Sequence, residues 1–472
     1  MYTYQADINF FRWGIYFALG IPFVAWILLT RNNALRILAV LSVLVCIQET
    51  FVARRYLWAI GIGPSNITAY VALMACLMRN GIPSGLGVAF GAWGAFIASA
   101  FLGLLIGSIG TPYLVPNFLK FQEFYVEGFF WFLLGLAVFR RTDELHQFLV
   151  GLVALGIVMG AAHLFCIATG YQFPNSPLSQ EGIESLGKGA FFGNVNSMGN
   201  AAATLIPVGL MFAMARREPL LVRLMAAGCV TVLLASLFLT NSRGGYLTAS
   251  LLVLLALFWS RSGLGRTMLT VVLGLAIVGV GLAGTALLLP ELFHETIGIL
   301  RDQGMETPRL LIWLGYLHLV VAYPFGVGLH ELNVRPLMAE FQLYVELAHN
   351  IYLDLATRVG LPGLFAFLVL AGMVVARNLR AMRLTQDPMR RRLLACLFFL
   401  VSSFLIGGLF EPIYQNSMKL VHMFWLYCGV SLSMSTRLAA ASDSPARSPT
   451  LLGSEPEEGH VEGILARAAD HA

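Results

Sequence analysis

The chain has 472 residues, of which 58% are hydrophobic and only 12% charged, and its net charge is +5. A soluble globular domain carries about 25% charged residues, so this composition excludes one. Stretches of about 18 or more apolar residues recur along the chain, each able to cross a ~30 Å hydrocarbon core as a helix, which predicts an all-α, polytopic membrane protein solvated by the lipid bilayer, with no nucleic-acid partner.

In chain order, the apolar runs place spans at roughly 12–30, 34–52, 63–79, 84–107, 124–139, 147–169, 190–215, 220–239, 246–260, 268–290, 350–376, 393–410 and 418–434, twelve or thirteen helices in all. The first is read as a span and not as a cleaved signal, because Phe10 to Leu29 runs into further spans without a small-residue cleavage pattern. Lys and Arg accumulate in loops that stay cytoplasmic. The basic clusters at 140–141, 216–223, 260–266 and 377–392 all fall on one side when the spans are counted through. Residues 108–123, 170–189, 240–245, 291–349 and 411–417 then face the other side, which in a bacterial inner membrane is the periplasm. Arg54 and Arg55 fit this pattern poorly, so the side of the N-terminus stays open.

The longest loop, 291–349, contains "LLIWLGYLHLVVAYPF", which is short for a span and broken at Tyr323-Pro324. It suits an interfacial or re-entrant helix. From Ser435 the composition turns to Ala, Ser, Pro and charge, so residues 1–434 are expected to form the membrane domain and 435–472 a disordered cytoplasmic tail. The six cysteines fall in or beside apolar runs with no CxxC among them, which argues against a disulfide framework or a zinc site.

Three polar constellations adjoin span ends on the outer face: "FFGNVNSMGN" at 191–200, "TNSRGGYLT" at 240–248, and the loop that carries Arg309 and ends in "AHNIYL". Arg243 precedes Gly244-Gly245, which allow a tight turn and a close approach to a ligand. Its planar guanidinium could grip a phosphate with two parallel hydrogen bonds, or it could be an interfacial anchor. Arg309 could do the same or be a solvated loop residue. Asn194 or Asn196 could cap a helix, or hydrogen-bond a sugar or phosphate. His349, followed by Asn350 and Tyr352, is of the residue type that titrates near working pH and could take a proton from a hydroxyl. His163, His318 and His422 read as packing or interface residues. No P-loop, dinucleotide fingerprint, nucleophile elbow or HExxH is present, so no cofactor and no metal is expected.

Taken together and in this order, "GNVNSMGNAAA", "NSRGGYL", "PRLLIWLGYLHLVVAYPFGVGL" and "HNIYLDLATRVGLPGL" resemble the O-antigen ligase family of bacterial membrane glycosyltransferases over about residues 190–370. That superfamily also includes O-antigen and exopolysaccharide polymerases and protein O-oligosaccharyltransferases. The resemblance implies a GT-C-type helical bundle that takes a glycan from undecaprenyl diphosphate on the periplasmic face and joins it to an acceptor hydroxyl, with neither nucleotide sugar nor essential metal. It implies that His349 matches the family's catalytic histidine and that Arg243 and Arg309 match its diphosphate-binding arginines. Asn196, Asn350 and Tyr352 complete the set of candidate substrate-binding residues. The acceptor could be lipid A–core, a growing glycan or a protein. The lack of a large C-terminal periplasmic domain leans away from the protein-glycosylating branch. The rival of another class is a flippase for lipid-linked oligosaccharides, which should carry polar residues near mid-bilayer.

Overall fold

The computed structural model describes residues 10–46, 64–169, 192, 194–240, 242–261, 309–340, 343, 345–411 and 417–443. Among the described residues the regular elements are helices, with no strand. They are α1 (Phe10–Leu29), α2 (Asn33–Cys46), α3 (Pro64–Asn80), α4 (Gly87–Ser108), α5 (Leu114–Val138), α6 (Thr142–Thr169), α7 (Val195–Ala213) and α8 (Leu220–Thr240). There follow α9 (Arg243–Arg261), α10 (Arg309–Ala322), α11 (Glu331–Ala339), α12 (Ile351–Arg358), α13 (Gly360–Leu384), α14 (Pro388–Gly407) and α15 (Met418–Asp443).

Among the described residues six helices, α4 to α8 and α13, are long and apolar enough to cross a membrane. The chain is a multi-pass membrane protein, as the apolar runs predict. Further apolar stretches lie within α1, α2, α9 and α10. α14 opens on Arg390, Arg391 and Arg392, and α15 carries His422, Ser431, Ser433 and Ser435 fully or almost fully buried in the bundle. These two helices pack largely against protein, and polar side chains are tolerated where a neighbouring helix can pair with them. Asn378 of α13, for example, donates to Ser431 Oγ at 2.7 Å. The expected span at 268–290, Arg54 and Arg55, and the segments 170–189 and 291–308 lie outside the described residues.

Several boundaries also move. The loop expected at 108–123 is helical from Leu114, because a single π turn at Phe121–Val126 joins two α segments without a break. The span expected at 350–376 is divided: α12 ends at Arg358, Gly360 has φ +76°, and α13 then starts with Pro362 in its first turn. An L side chain is disfavoured at that φ and proline suits a helix start, so "VGLPG" is a joint between two helices. α15 continues past Ser435 to Asp443, in keeping with the helix propensity of "RLAAA".

α15 lies at the centre and packs on the second half of α5. Side chains would collide at their crossing. A Cβ on Gly135 would meet the Leu426 carbonyl, and one on Gly429 would meet the Phe132 carbonyl. Small residues let helix backbones approach where lipid offers no hydrophobic drive to association. Around the crossing, Trp93 and Trp425 sit 4.3 Å apart between ring centroids, and Phe404 stacks on Phe424 at 4.0 Å.

The bundle has two chemically different ends. At one, Glu218 binds both Arg392 and His146, the latter at 3.0 Å, Asn33 donates to Glu144 at 3.0 Å, and Arg377 reaches the Gly85 carbonyl at 3.2 Å. Three of the four basic clusters, 140–141, 216–223 and 377–392, therefore share this end with the turn between α1 and α2. At the other end lie the start of α7, the turn between α8 and α9, the start of α10, residues 326–333, and the segments around His349 and Glu411.

Candidate active site

The cluster at this second end is organised by a residue that the sequence does not single out. Glu411 follows the turn that ends α14, where its amide donates to the Gly407 carbonyl at 3.1 Å. Its side chain is only 4% exposed, and a buried carboxylate needs partners. Asn196 Nδ2 donates to Oε2 at 3.2 Å, and Arg309 Nη2 lies 3.4 Å from Oε1. His349 Nδ1 stands 3.9 Å from Oε2, beyond a hydrogen bond but within direct electrostatic reach. Arg309 Nη1 also donates to the Phe410 carbonyl at 3.2 Å. Three of the candidate residues thus converge on one carboxylate from α7, α10 and the segment before α12.

Each is placed by its local structure. Asn194 caps α7 by accepting from the Asn196 amide at 2.8 Å, which sets Asn196 in the first turn with its amide group directed at Glu411. Arg309 begins α10 and is held by Glu411 and Phe410 while its side chain stays 45% exposed. That leaves donors free to meet an anion.

Arg243 is the first residue of α9, exposed, with no hydrogen bond or ion pair among the described residues. Gly244 and Gly245, expected to form a tight turn, instead lie in the first helical turn with no positive φ. Their role is close approach: a Cβ on Gly244 would stand 3.1 Å from Phe410 Cβ and 3.2 Å from Glu411 Cγ, and one on Gly245 would stand 3.1 Å from the Gly199 carbonyl carbon. The missing side chains bring the start of α9, and Arg243 with it, against the Glu411 turn and α7.

His349 has φ +51°, the one positive value at a non-glycine position among the described residues. This left-handed conformation costs an L residue roughly 1–2 kcal/mol, and histidine is among the residue types that visit it. Its Nδ1 is buried without a hydrogen-bond partner among the described residues. Asn350 caps α12 by accepting from the Tyr352 and Leu353 amides at 3.0 and 3.1 Å, and donates to the Leu409 carbonyl at 3.2 Å. The Tyr352 hydroxyl donates to the Leu405 carbonyl at 2.7 Å. Both side chains are thereby engaged in tying α12 to the end of α14.

The signal that could have found Glu411 was its isolation, as the only acid between Asp387 and Asp443. Asp354 and Arg358, both fully buried one helical turn apart, were not singled out either. His163 and His422 are packed as expected, the first against Ser236 Oγ at 2.7 Å and the second stacked on Trp131.

Chemically, the cluster sets a histidine beside a buried carboxylate and places two exposed arginines at its rim. Such a set can accept a proton and can neutralise an anionic group that develops charge. Residues 227–368 match the family model described as O-antigen ligase. That segment is similar to the O-antigen ligase family. It includes Arg243, Arg309, His349, Asn350 and Tyr352, while Asn196 and Glu411 lie outside it. The O-antigen ligase family comprises membrane enzymes of glycosyltransferase type, which handle a lipid-linked glycan and a glycan acceptor. A comparison with curated proteins finds no match to the chain.

Proposed function

We propose that this protein is an O-antigen ligase of the bacterial inner membrane, which moves a glycan from undecaprenyl diphosphate to a hydroxyl of lipid A–core at the periplasmic face. The observation that carries this reading is the convergence of Arg309, His349 and Asn196 on Glu411, with Arg243 beside them, at the end of the bundle opposite the basic clusters. Arginine-rich loops stay cytoplasmic, so the Glu411 end is the periplasmic one.

In the reaction the acceptor oxygen attacks the anomeric carbon while the bond from that carbon to the diphosphate oxygen breaks. The electron pair leaves with undecaprenyl diphosphate. The proton from the acceptor hydroxyl passes to His349, whose imidazolium gains a counter-ion in Glu411. Arg243 and Arg309 meet the charge that grows on the leaving group, and in this role they supply the neutralisation that a divalent metal could give elsewhere. With Glu411 counted as −1 and the two arginines as +2, the cluster keeps a net positive charge suited to an anionic donor. Attack opposite the leaving group inverts the anomeric centre. Asn196 holds Glu411, and Asn350 and Tyr352 hold the segment that bears His349.

Reconstitution of the purified chain with undecaprenyl-diphosphate-linked O-antigen and lipid A–core tests the reading. Expected is a lipid A–core glycan of inverted anomeric configuration, formed equally well in EDTA. Elongation of the donor glycan without transfer to lipid A–core would indicate a polymerase, and movement of the donor across a bilayer without transfer would indicate a flippase.

A further inference from the structure

His349 is held in its left-handed conformation by bonds that lie outside the cluster it serves. The residue just before it is clamped at both backbone polar atoms: the Ala348 amide donates to Asp354 Oδ1 at 3.2 Å, and the Ala348 carbonyl accepts from Trp313 Nε1 at 2.8 Å. Trp313 belongs to α10 and Asp354 to α12, so two separate helices grip the two peptide groups that flank the Ala348 Cα. Just after His349, the Ile351 amide donates to the Gly408 carbonyl at 2.7 Å, which fixes the other side to the turn that leads to Glu411.

The acidic half of this clamp is itself anchored. Arg358 and Asp354 are both fully buried, with Arg358 Nε 3.8 Å from Asp354 Oδ1. The remaining arginine donors reach the Leu329 and Glu346 carbonyls, each at 2.8 Å. Arg358 is thereby fixed beside Asp354 as its counter-charge, and the segments on either side of α11 are tied to the same arginine. A residue left to relax from φ +51° would swing its side chain away, because the left-handed and right-handed regions direct Cβ differently.

We propose that Trp313 and Asp354 are positioning residues that act through His349, holding the Ala348 backbone on both sides of its Cα so that the imidazole stays beside Glu411. The inference rests on the proposed role of His349 as the acceptor's base. It requires the clamp to affect the proton-transfer step and to leave the arginines alone.

The test is a cycle of four full-length proteins, parental, Trp313→Phe, His349→Ala and the double variant, assayed for glycan transfer and donor KM in detergent. Trp313→Phe keeps an aromatic side chain but removes the indole N–H together with part of the ring volume. Expected is a fall in kcat of roughly 10- to 100-fold, the scale on which small misplacements of catalytic groups act, with donor KM unchanged and no further fall when His349 is already alanine. Equal slowing of the parental and His349→Ala proteins would show a merely structural role and overturn the inference, as would a parental rate for Trp313→Phe. A parental rate for His349→Ala would instead overturn the proposed function. If Trp313→Phe fails to fold, Asp354→Asn and Asp354→Ala decide: asparagine keeps an oxygen for the Ala348 amide and should retain more of kcat than alanine, and equal losses would overturn the inference.

Discussion

Glu411 is a carboxylate buried among a histidine, an arginine and an asparagine, and its charge has opposite effects on the two halves of the proposed reaction. It lowers the positive potential that the arginines offer to a diphosphate, yet it stabilises a proton on His349. Glu411→Gln should therefore leave donor affinity unchanged or tighter while transfer falls roughly 10- to 100-fold, the value of one charge-assisted contact at ~1.5–3 kcal/mol. Donor binding and transfer assayed on the purified variant check this, and donor binding that weakens in step with transfer would contradict it. Arg243 makes no ion pair among the described residues and is exposed, so Arg243→Ala should weaken donor binding with no loss of thermal stability. Lysine there should restore binding only in part, since it keeps the charge and lacks the fork. His349, Arg243 and Arg309 were legible because a polar residue stands out against an apolar chain. Glu411 stood out only by its isolation, and its partners come from segments distant in the chain, so its role was not legible.

Elements were legible where one apolar run makes one helix, as for α4, α6 and α8, and less so where two helices share a run. α12 and α13 were read as one span because hydrophobicity continues through "VGLPG", whereas the joint depends on a backbone angle at Gly360 that hydropathy does not register. α11 shows a second local device. His330 caps it, with Nδ1 accepting from the Leu332 amide at 3.2 Å, a bond that only the unprotonated ring can make. Burial holds the His330 pKa below its ordinary value, with Glu331 pulling it upward and Lys120 adding to the depression. A histidine with a folded pKa below its unfolded one takes up fewer protons when folded, so stability is lost as pH falls below about 6.5 and through the folded pKa. Exchange at the Leu332 amide, corrected for its intrinsic rate, should therefore quicken between pH 7.5 and 5.5. His330→Asn, which caps without titrating, should abolish that dependence, and persistence of the effect in the variant would assign it elsewhere.

For the whole molecule, the contacts of Glu218 with His146 and Arg392 gather at one end loops that the charge pattern had grouped. α14 and α15 lie against other helices and carry charge or serine that a lipid-facing span would lack, a packing role that hydropathy does not register. The proposed orientation predicts that cysteine in place of the exposed Arg335 reacts with an impermeant thiol reagent in intact spheroplasts, and that cysteine in place of the exposed Arg217 does not. The reverse pattern would move the Glu411 end to the cytoplasm. The central claim is that this end carries a base for the acceptor and a separate clamp for the donor, and the most direct test is the donor Kd and the transfer rate of purified His349→Ala measured side by side. The account predicts an unchanged Kd with transfer lowered by roughly 10²–10⁴-fold, whereas transfer at the parental rate, or a loss of transfer explained entirely by weaker donor binding, would contradict it.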